Sequence, residues 1–253
     1  MRQEDRMGRI LERIAADGSV GVAELAAELG VSTASVRRDL QILEEQRLLS
    51  RTHGGAVANS TVYELPLRYR SGRHSGEKLR IAAEAARRVD ASVTTLGLTG
   101  GTTTTELARE IAGHRGLTVV TNALNIASEL AIRPELRLIV TGGVARSESY
   151  ELVGQFAEAT LERVNLDLAV VGVDGISARG GLTTYQDIEA HTNSIMIARA
   201  ARVVVVADGS KIGRLALARI CEASEVDELI TDASAPADEL AALRAAGVTV
   251  TTV

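Results

Sequence analysis

The chain has 253 residues, 45% of them hydrophobic but 2% aromatic, which suits one or two domains with an aliphatic core. A formal net charge of −5 argues against a uniformly basic nucleic-acid-binding surface, although it allows a local basic face. Cys221 is the one cysteine, so no internal disulfide can form, and no cysteine and histidine cluster has the spacing of a metal site. Charged residues near the start break any signal-peptide-like run, and no segment is apolar for the length of a membrane span. We therefore expect a soluble cytoplasmic protein that holds neither a metal nor a cofactor.

Helical periodicity predicts three helices in the first fifty residues. The first carries its apolar residues on one face and ends at Asp17-Gly18. After residues 20–22, which are too short for more than a bridge, a second helix over residues 23–29 ends at a glycine. Ser32 is well placed as the N-cap of a third helix over residues 33–46. Helix, short glycine turn and capped helix is the helix-turn-helix pattern.

The exposed start of the third helix carries small, hydroxylic and basic side chains, which suit contacts with base edges and phosphates in a major groove. Residues 48–57 predict two short strands around a basic turn, a wing whose Arg51 and His53 would touch a phosphate or the minor groove. The arginines of the helix could instead be solvated charges, an alternative that the following wing disfavours. Acidic residues, including Asp39 and Glu44, offset the charge, so the basic surface must be one narrow face. The predicted DNA-contacting residues are Ser32, Thr33, Ala34, Ser35, Arg37, Arg38, Arg51 and His53.

The run VAELAAELGVSTASVRRDLQILEEQRLLSRTHGGA resembles the amino-terminal domain of the DeoR family of bacterial transcriptional regulators. Its VSxxSVRRDLxxLE core and its terminal HGGA are specific together. The family usually has Thr and Ile where this chain has Ser35 and Val36, and both changes are conservative. The resemblance implies a winged helix-turn-helix DNA-binding domain, which we place at residues 1–58.

The rest of the chain predicts a linker and a larger domain. Residues 59–76 are polar and contain ELPLRYR, which is like the family's ExPxxxR segment, and we interpret them as a linker that packs partly on a second domain over residues 77–253. There, helices alternate with continuous apolar strands, which predicts an α/β domain with a mostly parallel sheet covered on both faces. Ligands of such sheets bind beyond the carboxyl ends of the strands.

One strand end has the pattern of an anion site. An apolar strand ending at Leu98 leads into Gly100-Gly101, then four threonines, then a helix predicted from Glu106 on. Backbone N–H groups converge at such a junction and the helix dipole adds partial positive charge, so the natural ligand is an anion, most often a phosphate. Glycine after a strand is also common simply because the chain must turn. The loop matches neither a P-loop nor a dinucleotide-binding motif, so no nucleotide is indicated.

Polar residues also stand at four further strand ends, and we expect one shared pocket. Lys211 would supply positive charge toward the phosphate or toward a ring oxygen of the sugar, Arg146 a second phosphate contact, and Asn122 and Asp174 would bond sugar hydroxyls. For these residues a turn or a solvated charge is the alternative, and Glu189 is a weaker candidate. The predicted effector-binding residues are Thr99, Gly100, Gly101, Thr102, Thr103, Thr104, Thr121, Asn122, Gly142, Gly143, Arg146, Asp174, Gly175, Thr183 and Lys211.

This second segment resembles the sensor domain of the DeoR family, which is similar in turn to ribose-5-phosphate isomerase and glucosamine-6-phosphate deaminase. The matching motifs are the GGTTT loop, TN, GG followed by Arg146, GVDGI, GLTT and ADGSK. Where the family often has Asp in DxGTT, this chain has Thr99, a departure that bears on which sugar hydroxyls are bound.

The resemblance implies a repressor of a sugar-catabolism operon, released from double-stranded operator DNA by a phosphorylated sugar. It also implies a homo-oligomer, either dimer or tetramer, with no membrane partner. The alternative is an enzyme like the sugar-phosphate isomerases and deaminases with an appended DNA-binding domain. Such an enzyme needs a positioned acid or base. Asp174 is the only convincing carboxylate at a strand end, and we find no accompanying histidine or glutamate pair, so the sequence favours binding without turnover.

Overall fold

The computed structural model describes residues 2–59 and 64–253 and divides the chain into two compact units, Met1–Arg73 (unit 1) and His74–Val253 (unit 2). Residues 60–63, which fall in the predicted linker, lie outside the described residues. Among the described helices, none is long and apolar enough to cross a membrane.

Unit 1 is a small helical domain with a three-stranded antiparallel sheet in the order β1-β3-β2. Its core is formed by the apolar faces of the three long helices, which the spacing in the sequence predicts. The two wing strands are observed, and the predicted bridge is a third strand of the same sheet. Its elements are α1 (Gln3–Asp17), β1 (Ser19–Gly21), α2 (Val22–Leu29), α3 (Thr33–Glu45), β2 (Leu49–Arg51), β3 (Gly55–Ala58) and α4 (Leu67–Arg70).

The end of the predicted linker belongs to unit 1. Tyr69, on α4, is 2% exposed and packs in the core of this unit, and a Cβ on Gly8 of α1 would lie 2.6 Å from the Tyr69 carbonyl oxygen. Leu65 packs against the same core. These two side chains therefore pack in unit 1, and the expectation that the rest of the segment packs partly on the second domain stays a prediction. An aromatic residue between arginines carries no signal of which core it enters.

Unit 2 alternates helices and strands. Its first half contains α5 (Ser75–Ala86), β4 (Thr95–Leu98), α6 (Thr102–Glu110), β5 (Thr118–Thr121), α7 (Leu124–Leu130), β6 (Arg137–Val140), β7 (Val144–Ala145), β8 (Leu152–Val153) and α8 (Gln155–Leu161). Its second half contains β9 (Leu168–Gly172), β10 (Gly175–Ser177), β11 (Gly181–Thr184), α9 (Asp187–Ala198), β12 (Val203–Val206), β13 (Ala218–Cys221), β14 (Glu228–Thr231), α10 (Ala237–Ala245) and β15 (Thr249–Thr252).

Seven strands form a parallel sheet in the order β15-β14-β12-β9-β4-β5-β6, with one apolar cluster on each face. The predicted mostly parallel sheet is confirmed. From β4 the chain moves outward to β5 and β6, and from β9 it moves the other way to β12, β14 and β15. The gap between the carboxyl ends of β4 and β9 is therefore the topological switch point, where ligands of such folds bind.

Two features of unit 2 differ from the prediction. The β7–β8 hairpin and a second, antiparallel sheet in the order β10-β11-β13 were not predicted. In addition, α6 begins at Thr102 rather than Glu106, so the threonines form its first turn. Threonine is a poor helix former, but a hydroxyl that bonds the backbone locally suits a helix start.

Candidate DNA-binding face and effector site

The start of α3 presents an exposed polar face. Ser32 is the N-cap, because its Oγ accepts a hydrogen bond of 3.1 Å from the Ser35 backbone N–H. Thr33, Ala34, Arg37 and Arg38 are exposed. Within residues 2–59 and 64–253, neither arginine forms an ion pair or hydrogen bond, so both guanidinium groups are available to a polyanion.

Asp39 does not offset these arginines, contrary to the expectation from the sequence. Its carboxylate is fully buried against α1, where Arg6 binds it through both Nε and Nη2, the latter at 2.9 Å from Oδ1. Gln3 donates to the same Oδ1 at 3.0 Å. The neutralised carboxylate joins α3 to α1 and leaves the exposed side of α3 more basic than its sequence indicates.

The wing is attached to α3 through Glu44. This carboxylate accepts a hydrogen bond of 3.0 Å from the Arg51 backbone N–H and lies 3.6 Å from the Arg51 guanidinium. Both side chains remain about two-fifths exposed, and His53 at the turn of the wing is exposed. The positive charge of Arg51 is thus partly balanced, whereas Arg37 and Arg38 keep theirs.

In unit 2 the predicted anion cradle lies at the switch point. We use "the cradle" for Gly100, Gly101 and the first turn of α6. Gly101 has a φ of 142°, which favours glycine, and a Cβ on Gly172 at the end of β9 would lie 2.8 Å from the Gly100 carbonyl oxygen. The N–H groups of the first turn have no partner within the helix, so they form a donor site at this spot.

Two of the four threonine hydroxyls in the first turn of α6, and those of the neighbouring Thr99 and Thr121, form hydrogen bonds with the backbone. Thr104 and Thr105 donate to the Gly101 carbonyl oxygen at 3.0 and 2.6 Å. Thr99 is buried and accepts from the Gly172 N–H at 3.0 Å, and Thr121 donates to the Leu98 carbonyl at 2.7 Å. These hydroxyls fix the ends of β4, β5 and β9, while the backbone N–H groups remain the donors for an anion.

Three buried carboxyl groups lie beside the cradle: Glu151, Glu189 and Asp174. Glu189 Oε2 accepts from Arg146 Nη1 at 2.7 Å and from Thr184 Oγ1 at 3.2 Å. The same Thr184 hydroxyl lies 3.1 Å from Asp174 Oδ2. Lys211 Nζ is 3.3 Å from Asp174 Oδ1. Arg146, Asp174 and Lys211, predicted from three separate strand ends, thus belong to one polar network.

Glu151 and two asparagines connect this network to the cradle. Asn193 Nδ2 and Asn122 Nδ2 lie 3.2 and 3.4 Å from Glu151 Oε2, and Asn122 Nδ2 also donates to Asn193 Oδ1 at 3.0 Å. Burial, together with the nearby Glu189, raises the pKa of Glu151 well above its ordinary value. The site therefore combines hydrogen-bond donors for an anion with carboxyl and amide groups that suit the hydroxyls of a polyol.

The remaining predicted residues lie at the border of this network. Gly142 and Gly143 precede the β7–β8 hairpin, and a Cβ on Gly143 would lie 2.8 Å from the Val153 carbonyl oxygen. A Cβ on Gly175 would lie 2.4 Å from the Arg214 carbonyl oxygen. The Thr183 hydroxyl contacts backbone groups of Gly175 and Ala216, and the next residue, Thr184, is the one that contacts the carboxylates, since neighbouring residues of a strand point to opposite sides.

Comparison with known proteins decides the family. The model of the DeoR-like helix-turn-helix domain matches residues 6–62, and that of the DeoR C-terminal sensor domain matches residues 73–233. The glycerol-3-phosphate regulon repressor of Escherichia coli K12 is 34% identical over 236 residues, which cover 93% of this chain and 93% of the relative. The HTH-type transcriptional regulator GlpR of Haloferax volcanii is 35% identical over 250 residues, or 99% and 98% of the two chains. The chain belongs to the DeoR family.

As a DeoR-family protein the chain is a DNA-binding transcriptional regulator rather than an enzyme, as the sequence indicated. The expectation that no pair of glutamates accompanies Asp174 was wrong, however, because Glu151 and Glu189 form a neighbouring pair of buried carboxyl groups. A crystal structure of ribose 5 phosphate isomerase A from Neisseria gonorrhoeae aligns with 53% of this chain and 52% of its own, with 15% identity and a TM-score of 0.39.

The DeoR motifs did not reveal Glu151 or Asn193. Glu151 comes from the unpredicted hairpin, and Asn193 lies inside α9. A signal for the latter is present in the sequence, because Glu189, Thr192 and Asn193 are spaced so as to share one side of a helix and are all buried. Buried polar residues at helical spacing point to a polar site.

Proposed function

We propose that this DeoR-family protein represses an operon of sugar catabolism and leaves its operator when a phosphorylated sugar binds unit 2. The observation that carries the proposal is the cradle at the β4–β9 switch point, with a buried polar network beside it. The regulon of the Escherichia coli relative is named for glycerol 3-phosphate, which is a phosphorylated polyol. Donors for a phosphate next to acceptors for hydroxyl groups suit this class of ligand.

On the DNA side, the exposed start of α3 would enter the major groove, where Arg37 and Arg38 lie about 100° apart around the helix axis. One could then reach a base edge while the other holds a phosphate. The wing would place His53 and Arg51 beside the backbone or the minor groove. The proposed contacts are those predicted from the sequence: Ser32, Thr33, Ala34, Ser35, Arg37, Arg38, Arg51 and His53.

On the effector side, the phosphate would bind the N–H groups at Gly101 to Thr104, at the positive end of the α6 dipole. Asn122 and Asp174 would bond sugar hydroxyls. Arg146 and Lys211 would contribute positive charge near the ligand while they keep the carboxylates of Glu189 and Asp174 neutralised. The threonines and glycines at the strand ends would shape the pocket around these groups.

Release would follow from linkage between two binding sites. We propose a homo-oligomer, dimer or tetramer, in which two copies of unit 1 bind two operator half-sites. An effector that binds more tightly to an arrangement with the wrong half-site spacing lowers operator affinity by the same factor by which DNA lowers effector affinity.

The cradle can be tested by the thermal stability of the full chain with glycerol 3-phosphate and a panel of phosphorylated sugars. A ligand of the folded state raises apparent stability by about 2.7 kcal/mol at one hundred times its Kd. We expect Gly101→Ala to abolish the shift, because the new side chain narrows the cradle. Gly116→Ala is the control, since Gly116 also has a positive φ, 78°, with no atom near its added Cβ. A full shift in Gly101→Ala would place the ligand elsewhere.

A further inference from the structure

The first amide of the cradle already has a carboxyl partner. Glu151 lies against Gly100 so closely that a Cβ on this glycine would be 2.5 Å from both Cγ and Oε1 of the glutamate. Its carboxyl group accepts a hydrogen bond from the Gly100 backbone N–H. A phosphate at the next amides, on the first turn of α6, would therefore be the neighbour of Glu151.

Glu151 differs from the other two buried carboxyl groups in its partners. Glu189 faces Arg146 and Asp174 faces Lys211, whereas Glu151 faces the amides of Asn122 and Asn193 and the Gly100 N–H. Glu151 also forms a side-chain hydrogen bond with Glu189, which requires one of the two carboxyl groups to carry a proton. The charged group nearest to it is Glu189 on α9, with Arg146 behind that carboxylate; β4 and β5 contribute only uncharged groups. The Arg146 backbone N–H donates to the Glu151 backbone carbonyl oxygen at 2.9 Å, but in the part of the chain that the structure describes no lysine, arginine or histidine side chain pairs with the Glu151 carboxyl group.

A second, independent feature marks this spot as a ligand site. Asn122 is fully buried, and its Oδ1 has no hydrogen-bond partner within residues 2–59 and 64–253, although its Nδ2 contacts both Glu151 and Asn193. A buried acceptor without a donor is unfavourable, because it has lost its hydrogen bonds to water and gained none in the protein. A hydroxyl of a bound ligand, beside the phosphate, would supply the missing donor.

We propose that Glu151 gates the cradle: a phosphate group binds next to it only while this carboxyl is neutral, so that effector affinity falls as the pH rises. This rests on the proposed function, because it takes the cradle as the phosphate site. The physical reason is that an ionised Glu151 would place a third negative group against Glu189 and the incoming dianion, in a site where water screens little. A neutral carboxyl can instead donate its proton in a hydrogen bond to a phosphate oxygen. Glu151 is thus a positioning and selectivity residue for the anion.

The test is the pH dependence of inorganic phosphate binding by the full chain. Titration calorimetry measures the Kd from pH 6 to 9. Glu151→Gln keeps the shape of the side chain and fixes it in the neutral state. Glu162→Gln is the matched control, because the Glu162 side chain is exposed at the end of α8. Phosphate's own titration affects all three proteins equally and cancels in the ratio of their Kd values.

We expect the ratio of the wild-type Kd to the Glu151→Gln Kd to grow with pH, toward about tenfold for each pH unit above the pKa of Glu151. The control should follow the wild type. Parallel profiles for wild type and Glu151→Gln would overturn the gate and leave the cradle intact. If neither the wild type nor Glu151→Gln bound phosphate, the cradle would not be the phosphate site, and the proposed role of Glu151 would fail with it.

If Glu151→Gln does not fold, the wild type alone decides. Calorimetry in two buffers of different ionisation enthalpy counts the protons that accompany binding. The gate requires proton uptake, rising toward one per phosphate, at a pH where phosphate is already a dianion. Phosphate binding without proton uptake at every pH of the series would contradict the proposed role of Glu151.

Discussion

The cations of the two proposed binding sites differ in their exposure to solvent. In unit 1, Arg37 and Arg38 project into solvent from α3. In unit 2, Arg146 and Lys211 have side chains that are 13% and 19% exposed, and both contact buried carboxylates. We relate this difference to the ligands that we propose for the two sites. DNA is an extended polyanion that exposed cations attract and hold by displacing counterions, whereas a small effector is bound by groups already oriented in a dry pocket.

The largest effect that would sharpen this comparison is the loss of a buried ion pair. Arg146→Met leaves Glu189 buried without its cation, which destabilises unit 2 by about 3–5 kcal/mol. Arg109→Met is the control: Arg109 also pairs with glutamates, Glu106 and Glu129, but its side chain is 52% exposed, so its loss should be within about 1 kcal/mol. Denaturant unfolding of the full chain measures both. Equal losses in the free energy of unfolding of the two variants would show that burial does not determine how much such an ion pair stabilises unit 2.

The next effect concerns the exposed arginines of unit 1. Arg37→Ala and Arg38→Ala should each weaken DNA binding, by about 1–3 kcal/mol for the one that contacts a base edge. The one that contacts a phosphate should lower the dependence of log K on log salt by about one unit. The measurement is fluorescence anisotropy at several salt concentrations, with the exposed Arg163 of unit 2, as Arg163→Ala, for control. Unchanged affinity and slope in both α3 variants would take them out of the interface.

The smallest effect is on the stability of unit 1. Ser32→Ala removes the acceptor for the Ser35 N–H and should destabilise the helix-turn-helix by about 1 kcal/mol. Ser50→Ala, at an exposed position of β2, should change stability by less than about 0.5 kcal/mol. Chemical denaturation of both variants gives the comparison. A Ser32→Ala protein as stable as Ser50→Ala would mean that the cap does not hold α3.

The three long helices and the two wing strands of unit 1 could be predicted from the sequence because the helices carry regular apolar faces and the N-cap of α3 stands at the expected place, whereas α4 could not. Asp39 shows the limit. A sum of the charges along α3 subtracts the negative charge of Asp39 from that of the arginines, yet Arg6, 33 residues earlier, neutralises this carboxylate inside the core. Only the packing of α1 on α3 decides this.

The parallel strands of unit 2 could be predicted because continuous apolar runs mark buried strands, and their polar ends mark one edge of the sheet. The antiparallel sheet could not, since β11 pairs with β13, which lies more than thirty residues later. The same holds for the site. The strand ends supplied Asn122, Asp174 and Lys211, whereas Glu151 lies in the connection of the β7–β8 hairpin, immediately before β8, where the local sequence has no strong pattern.

The most direct test of the account joins the two units in one experiment. The full chain is bound to the DNA fragment that it selects from a random-sequence pool. Glycerol 3-phosphate and other phosphorylated sugars are then titrated while DNA binding is followed by anisotropy. We predict that a ligand that raises the thermal stability of the wild type also releases its DNA, and that Gly101→Ala binds the same DNA but keeps it at every ligand concentration. Release from Gly101→Ala at wild-type concentrations, or a wild type that keeps its DNA when saturated with the stabilising ligand, would contradict the account.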